Sequence, residues 1–419
     1  MNSRERVMAA LHHEVPDRVP IDLGAMRSTG ITALAYRRLK EYLGITEGDI
    51  YVYDTSQQLA VVEPSILDIF DLDVVPLDLD QLRDWQPYTL PDGHPARIVA
   101  GFTTETAPDG SVYQLKDGRR VRYRPPSSHY FYNIYHPLAE AATPADIERF
   151  PPWTYTDEEL PLLRDRARYL YENTAYAIMG HFGGSILEAG QDLRGWEQFM
   201  VDLARGGPFL EAFLEKLTEV HLVNLACYLD AVGPYIQIIV MGDDLGTQHA
   251  LQISPRTYRR WIKPCHTRIY GYVRQHYPQV YVFLHSCGSI YPLIPDLIEA
   301  GVQILNQVQI SAAGMDPVRL KREFGADLTF WGGGCDTQHT IPRGTPQEVA
   351  AEVKRLLDIF APGGGYVFNQ VHNIQADVPP ENIVAMLETV RSQVSGPRPQ
   401  ASGLRPQVSG LRSQASGPR

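Results

Sequence analysis

A histidine and a cysteine lie two residues apart in the segment FLHSCGS, where an apolar run of residues ends. Another cysteine, Cys335, follows a second apolar run in the segment WGGGCDTQ. Together, His285, Cys287 and Cys335 offer one imidazole nitrogen and two sulfur atoms, a donor set that suits zinc. Three protein ligands leave one tetrahedral position open, as in catalytic zinc sites. The alternative interpretation is that both cysteines are small buried residues and His285 is a hydrogen-bonded core histidine.

Other polar residues also stand where apolar runs end. They are His181, Glu188, Asp243, Asp244, Asn369 and His372. Carboxylates at such positions serve as metal ligands or as general acids and bases, but they also cap helices. The sequence leaves both roles open for Asp243 and Asp244.

The apolar runs that carry these residues alternate with segments of helical periodicity, such as TPQEVAAEVKRLLDIF. The predicted strands are 176–182, 235–242, 280–286, 302–308, 328–334 and 366–372, preceded by VPIDLG and DVVPLDL. Such an alternation predicts a parallel sheet covered by helices. Because about eight units are present, we predict an α/β fold of the (β/α)8 TIM type rather than an open doubly wound sheet. All the polar strand ends would then open onto one mouth of the barrel.

We predict that the barrel domain spans residues 1–391 and begins with a helix, which Asn2 or Ser3 can cap and whose apolar stripe is Val7, Met8 and Leu11. Residues 96–135 alternate apolar and polar residues around the turn signals PDG and DG, which predicts an inserted β-hairpin or meander. Aromatic residues of this insertion, Tyr130 among them, are as compatible with packing as with a lid over a ligand. The repeats rich in Ser, Gly, Pro and Arg in 392–419 predict a disordered tail.

Composition narrows the class of protein. The net charge of −11 argues against a nucleic-acid partner, which requires clustered Lys and Arg. With 44% hydrophobic and 21% charged residues, the chain is typical of a soluble globular protein. We see no apolar run long enough to cross a membrane and no secretory signal, and 4 cysteines are too few for a disulfide framework. These features predict a cytoplasmic protein.

Three segments resemble the uroporphyrinogen decarboxylase superfamily, and the resemblance covers roughly residues 3–390. The segments are SRERVMAALHHEVPDRVP, GHFGGSILEAG and GGGYVFNQVHNIQADVPPENIVAMLETV. The resemblance implies a (β/α)8 barrel. One branch of the superfamily decarboxylates a tetrapyrrole without metal, and the other consists of zinc-dependent methyltransferases that use a corrinoid.

The decarboxylases carry the motif Met-Arg-Gln-Ala-Gly-Arg, whose arginines meet substrate carboxylates. The corresponding segment here is MRSTGI, which keeps Arg27 and lacks the second arginine. A tetrapyrrole with eight carboxylates needs several cations, so this loss favours the methyltransferases. In these, His-x-Cys and a later Cys hold zinc. The resemblance therefore implies His285, Cys287 and Cys335 as ligands, with Glu188, Asp243 or Asp244 completing the set.

The resemblance thus implies an enzyme that moves a methyl group between a small methylated substrate, or a thiol, and a corrinoid. The chain has no Asp-x-His-x-x-Gly segment for binding cobalamin, so we expect a partner protein to carry the corrinoid. Four residues are predicted to line the substrate pocket: Arg27, His181, Asn369 and His372. The alternatives are metal-free decarboxylation of a tetrapyrrole and a non-catalytic barrel that holds a corrinoid or tetrapyrrole. The sequence leaves the methyl donor, the acceptor and the oligomeric state open.

Overall fold

The structure is a computed structural model that describes residues 1–128 and 130–392. Its strands, in chain order, are β1 (Tyr51–Asp54), β2 (Leu59–Ala60), β3 (Val74–Leu77), β4 (Trp85–Thr89), β5 (Pro95–Val99), β6 (Thr103–Thr106), β7 (Val112–Lys116), β8 (Arg119–Arg124), β9 (Tyr132–Asn133), β10 (Ala177–Gly183), β11 (Ile238–Gly242), β12 (Tyr281–His285), β13 (Ile304–Asn306), β14 (Thr329–Trp331) and β15 (Tyr366–Val367).

Its α-helices are α1 (Ser3–Leu11), α2 (Ala33–Tyr42), α3 (Pro64–Ile69), α4 (Pro144–Arg149), α5 (Glu159–Asn173), α6 (Leu187–Arg194), α7 (Trp196–Arg205), α8 (Pro208–Val232), α9 (Pro255–Thr257), α10 (Lys263–His276), α11 (Ile294–Ala300), α12 (Pro317–Phe324), α13 (Thr340–Arg343), α14 (Pro346–Phe360) and α15 (Pro380–Ser392). Among these described residues, no helix combines the length and the apolar character needed to cross a bilayer.

A sheet of 7 parallel strands, in the order β15-β14-β13-β12-β11-β10-β3, forms the frame. Residues 20–22 close it: the Asp22 amide donates to the Phe368 carbonyl at 2.9 Å, and the Asp73 amide donates to the Ile21 carbonyl at 2.8 Å. This segment makes only an isolated parallel bridge, Ile21 with Phe368. Pro20 has no N–H to donate, which limits a longer ladder there. The predicted (β/α)8 barrel is confirmed.

The barrel interior is a separate apolar core. Strand residues such as Val74, Phe283 and Trp331 pack there with Val7 and Leu11 of α1. Helix α1 starts as the sequence predicts, since Asn2 and Glu5 form a reciprocal capping box. The helix therefore covers one end of the barrel and leaves the carboxyl ends of the strands open.

Two small sheets, one mixed and one antiparallel, stand beside the open end. One has the order β2-β1-β5-β4 and the other β6-β7-β8-β9. Their consecutive antiparallel strands begin at Trp85 and end at Asn133, whereas the sequence predicted an insertion over 96–135. Apart from Ser392, the predicted tail lies outside the described residues.

Candidate active site

His285 ends strand β12 at the open mouth, where Asn306 of β13 fixes its ring. The Asn306 side chain donates through Nδ2 to the Trp331 carbonyl at 2.8 Å, so its Oδ1 must accept. His285 Nδ1 lies 2.7 Å from that Oδ1 and therefore carries the proton. The lone pair of Nε2 is left free for a metal or a proton. Such an orienting partner is typical of metal-binding histidines.

Cys287 follows two residues later, on the loop after β12. Its Sγ lies 3.5 Å from His285 Nε2, and its main-chain N–H donates to Asp244 Oδ1 at 2.7 Å. Burial and the nearby Asp244 and Glu188 carboxylates raise the pKa of this thiol well above its usual range. In these surroundings the thiolate needs a positive charge beside it, which a divalent metal would supply.

His372, which the sequence assigned to the pocket wall, joins these two residues. Ligand atoms of His285, Cys287 and His372 all lie within 4.8 Å of one another. Zinc bonds of about 2.0–2.3 Å separate tetrahedral ligand atoms by roughly 3.3–3.8 Å, so the cluster is slightly wider than a metal-bound one. Burial and the neighbouring His285 lower the pKa of His372 to about 4, so its ring is neutral at neutral pH, as a ligand must be.

Cys335, the third ligand predicted from the sequence, is not in this cluster. It is fully buried in the apolar layer between the barrel and its helices. Its Sγ donates to Glu352 Oε2 of α14 at 3.4 Å. Gly332 and Gly333, with φ of 119° and 65°, turn the chain between β14 and this cysteine. Burial and Glu352 raise the pKa of its thiol well above the usual range.

Asp243 and Asp244 follow β11, and they have different surroundings. Asp243 is fully buried and accepts the main-chain N–H groups of Ile186, Leu187 and Glu188 at 2.9–3.2 Å, which caps α6. His266 Nε2 lies 3.0 Å from the same carboxylate. All of these contacts hold parts of the frame together. They do not support a role for Asp243 as a metal ligand or as an acid/base group.

Asp244 faces the mouth together with Glu188. Its Oδ1 lies 3.6 Å from His285 Nε2, and Glu188 Oε2 accepts the Asp244 main-chain N–H at 3.0 Å. Burial and the two adjacent aspartates raise the pKa of Glu188 well above its usual range. Both carboxylates therefore lie where a fourth ligand or a proton carrier would act.

Arg27 lies across the mouth and is held by three carboxylates. It donates to Asp54 at 2.8 Å, Asp78 at 3.0 Å and Asp80 at 2.9 Å. Burial opposes its charge, but Asp78 and Asp54 outweigh burial and raise its pKa. His181 donates through Nε2 to the Ala25 carbonyl at 2.9 Å, with Nδ1 3.4 Å from Arg27. Arg27 is thus already neutralised, which weakens the predicted role in binding a substrate anion.

A cavity of about 440 Å³ connects these groups, and its walls include Arg27, His181, Glu188, Asp244, His285 and His372. Asn369 lies behind it, fully buried, and donates to the Asp22 carbonyl at 3.2 Å. Tyr130 of the antiparallel segment accepts from Gln375 at 2.7 Å. Burial and the Cys287 thiol raise the pKa of Tyr130 to about 12.

Sequence reasoning missed Asn306 and the carboxylates around Arg27. Asn306 ends β13, but the predicted strand ran on to residue 308, so the strand-end criterion that found His285 did not select it. The carboxylates come from separate segments, β1 and the loop after β3, and only the tertiary fold brings them to Arg27.

Comparison with known proteins agrees with the barrel. The model of the family "Uroporphyrinogen decarboxylase (URO-D)" matches residues 136–393, more than half of the chain. A uroporphyrinogen decarboxylase of Geobacter sulfurreducens is 26% identical over 268 residues, 61% of this chain and 71% of the relative. The enzyme of the same name from Geotalea uraniireducens is 25% identical over 268 residues, with the same coverage.

Among solved structures, a methyltransferase from Methanosarcina mazei superposes with a TM-score of 0.56. The superposition covers 94% of this chain and 99% of the other at 17% sequence identity, which shows a shared fold. The chain therefore belongs to the uroporphyrinogen decarboxylase family of enzymes.

Proposed function

We propose that this protein is a zinc-dependent methyltransferase, which moves a methyl group between a small substrate or thiol and a corrinoid carried by a partner protein. One observation carries the proposal: His285, Cys287 and His372 converge within 4.8 Å at the mouth of the barrel. A mouth with soft metal ligands and a cavity beside them is where a barrel enzyme performs chemistry.

The donor atoms fit zinc. Two imidazoles and a thiolate are ligands that zinc prefers, and Asn306 already directs the His285 lone pair toward Cys287. When bound, zinc would supply a positive charge that stabilises a thiolate or polarises the leaving atom of a methyl donor. Asp244 or Glu188 is suited to the fourth position. Cys335 would be a ligand only after its contact with Glu352 is broken.

The remaining residues would position the reaction. Asn306 holds the tautomer of His285. The corrinoid, as a substrate on its own protein, would approach through the open mouth. A second cleft of about 1030 Å³ adjoins the cavity, shares Asp80 and Arg83 with it, and offers room for such an approach. Holding donor and acceptor in line is the main contribution that this chain would make.

Zinc content tests the proposal, with two cysteine substitutions as a matched pair. We expect about one zinc per wild-type chain after purification without chelators. Cys287→Ser and His372→Ala should lose zinc or bind it about 10–100-fold more weakly. Cys335→Ser should retain it, because the Cys335 thiol faces Glu352. Zinc loss in Cys335→Ser as well as in Cys287→Ser would restore the ligand set predicted from sequence. No zinc in any sample, even after metal is added, would refute the methyltransferase.

Two other functions remain as alternatives to this proposal. Metal-free decarboxylation is favoured by the names of the curated relatives, but not by a mouth in which Arg27 is already paired with carboxylates. A non-catalytic barrel would bind a corrinoid or tetrapyrrole without turnover and would keep that binding after Cys335→Ala. Transfer of a methyl group to added free corrinoid separates the methyltransferase from both.

A further inference from the structure

We infer that the cavity beside His285 recognises a positively charged, methylated ammonium group. The inference rests on the proposed function and deepens it, because it names the class of methyl donor that the same site would take. It is drawn from the charges and the aromatic rings of the cavity wall.

The wall is acidic. Four carboxylates line it, those of Asp78, Asp80, Glu188 and Asp244, against two guanidinium groups, so the net formal charge is −2 when all of them are ionised. A bound zinc and the Cys287 thiolate would together add one positive charge and leave the wall negative. An excess of carboxylates in a partly enclosed cavity favours a cationic ligand over an anionic one.

The two arginines are not free to bind an anion. Arg27 donates to Asp54, Asp78 and Asp80. Arg83 lies 3.2 Å from both Asp80 and Glu159. Their charges are therefore compensated before any ligand arrives.

Glu188 is the carboxylate best placed to meet a cation. It is largely buried, and its Oε2 accepts the main-chain N–H of Asp244. Within residues 1–128 and 130–392, no hydrogen bond reaches its other oxygen, Oε1. A cation in the cavity would meet this oxygen together with the Asp244 carboxylate, which lines the same wall.

Aromatic rings supply the other part of the wall. Trp153, Tyr155 and Phe182 all line the cavity. Trp153 and Tyr155 are in edge contact with centroids 4.8 Å apart, and Phe182 packs on the buried Tyr228 at 5.8 Å. Quaternary ammonium groups bind to the faces of such rings, and nearby carboxylates strengthen the attraction. A volume of about 440 Å³ is at the lower end of small-molecule sites, which suits a compact cation.

The charge of such a donor also suits methyl transfer. The N–CH3 bond would break with its electron pair left on nitrogen, which yields a neutral amine. The methyl group would form its new bond to cobalt(I) of the corrinoid substrate, which supplies both electrons of that bond. A quaternary nitrogen has no lone pair for a metal, so the cavity wall would hold it. The neutral amine loses the attraction of the carboxylates, which favours its release.

The test compares choline with 3,3-dimethyl-1-butanol, which has the same shape and no charge. Binding to the zinc-loaded full chain is measured by titration calorimetry at fixed ionic strength. We expect choline to bind at least about tenfold more tightly. Trp153→Leu should weaken choline binding by about fivefold or more and leave the affinity for the neutral analogue unchanged. The control is Trp196→Leu, since Trp196 is 57% exposed and does not line the cavity.

Equal affinity for the two compounds, or no choline binding, would overturn the inference. A loss of choline affinity in Trp196→Leu as large as that in Trp153→Leu would also overturn the inference. Zinc content is measured in the same samples, so that failure of the cation site can be told apart from failure of the methyltransferase proposal. A protein that contains zinc but does not bind choline would reject the cationic methyl donor and leave the methyltransferase proposal standing. Choline binding in a chain that takes up no zinc keeps the cation site and removes the proposed enzyme.

Discussion

At the scale of single residues, the two thiols near the mouth differ through their neighbours. Burial raises the pKa of both Cys287 and Cys335. Only Cys287 lies beside an imidazole lone pair, at 3.5 Å, whereas Cys335 contacts a carboxylate of α14. A metal would stabilise the Cys287 thiolate and also bind His285. The same ion at Cys335 would have Glu352 and no histidine of the cluster.

Arg27 gives a prediction at this scale. Asp54 and Asp78, whose side chains are 8% and 4% exposed, would lose their counter-charge in Arg27→Met. Leaving buried carboxylates unpaired costs about 3–5 kcal/mol, so the variant should unfold at clearly lower urea concentration. Arg27→Lys keeps one positive charge and should lose less. An Arg27→Met protein of wild-type stability, with weakened affinity only for an anionic ligand, would instead support the substrate role predicted from the sequence.

At the scale of elements, the end of β11 shows how neighbouring residues acquire different tasks. Asp243 caps α6 and contacts His266 of α10, so it joins the strand to two helices. Asp244 faces the cavity and accepts the Cys287 N–H. One residue thus stabilises the frame, and the next one stands at the candidate metal centre.

The matched substitutions Asp243→Asn and Asp244→Asn should separate these roles. An amide at position 243 offers a single neutral acceptor to several buried donors, so we expect a loss of about 2–4 kcal/mol in unfolding free energy. Zinc content per folded chain should stay unchanged. Asp244→Asn should change stability little and weaken zinc binding. Thermal unfolding and metal analysis of both proteins check this, and a reversed pattern would contradict the assignment.

The barrel strands could be predicted from the sequence because buried parallel strands are continuous apolar runs, although the predicted runs 302–308, 328–334 and 366–372 extend past the ends of β13, β14 and β15. His285 ends β12 as predicted, whereas His372 lies on the loop after β15, and both lie at the mouth. The direction of Cys335 could not be predicted in the same way. It lies beyond Gly332 and Gly333, whose positive φ angles break the regular alternation of side chains. Three successive glycines were the signal that strand periodicity no longer applied.

At the scale of the whole molecule, charge is arranged by long-range contacts that no local pattern reveals. The chain carries a net charge of −11, and the fold concentrates part of this charge at the mouth. Asp54 comes from one of the small sheets, while Asp78 and Asp80 follow β3 of the barrel. The segment between β8 and β9 also brings Tyr130 to Gln375. The barrel supplies the candidate metal ligands, and the small sheets shape their surroundings.

This distribution of charge gives the last prediction, which concerns tetrapyrroles. Uroporphyrinogen carries many carboxylates, and at this mouth it would meet an acidic wall whose arginines are already paired. We therefore expect no decarboxylation above background when substrate and tetrapyrrole products are followed by chromatography. A curated relative, the uroporphyrinogen decarboxylase of Geobacter sulfurreducens, serves as the positive control. Turnover that survives both a chelator and Cys287→Ser would assign this chain to the metal-free branch, because neither treatment alters a reaction that needs no metal.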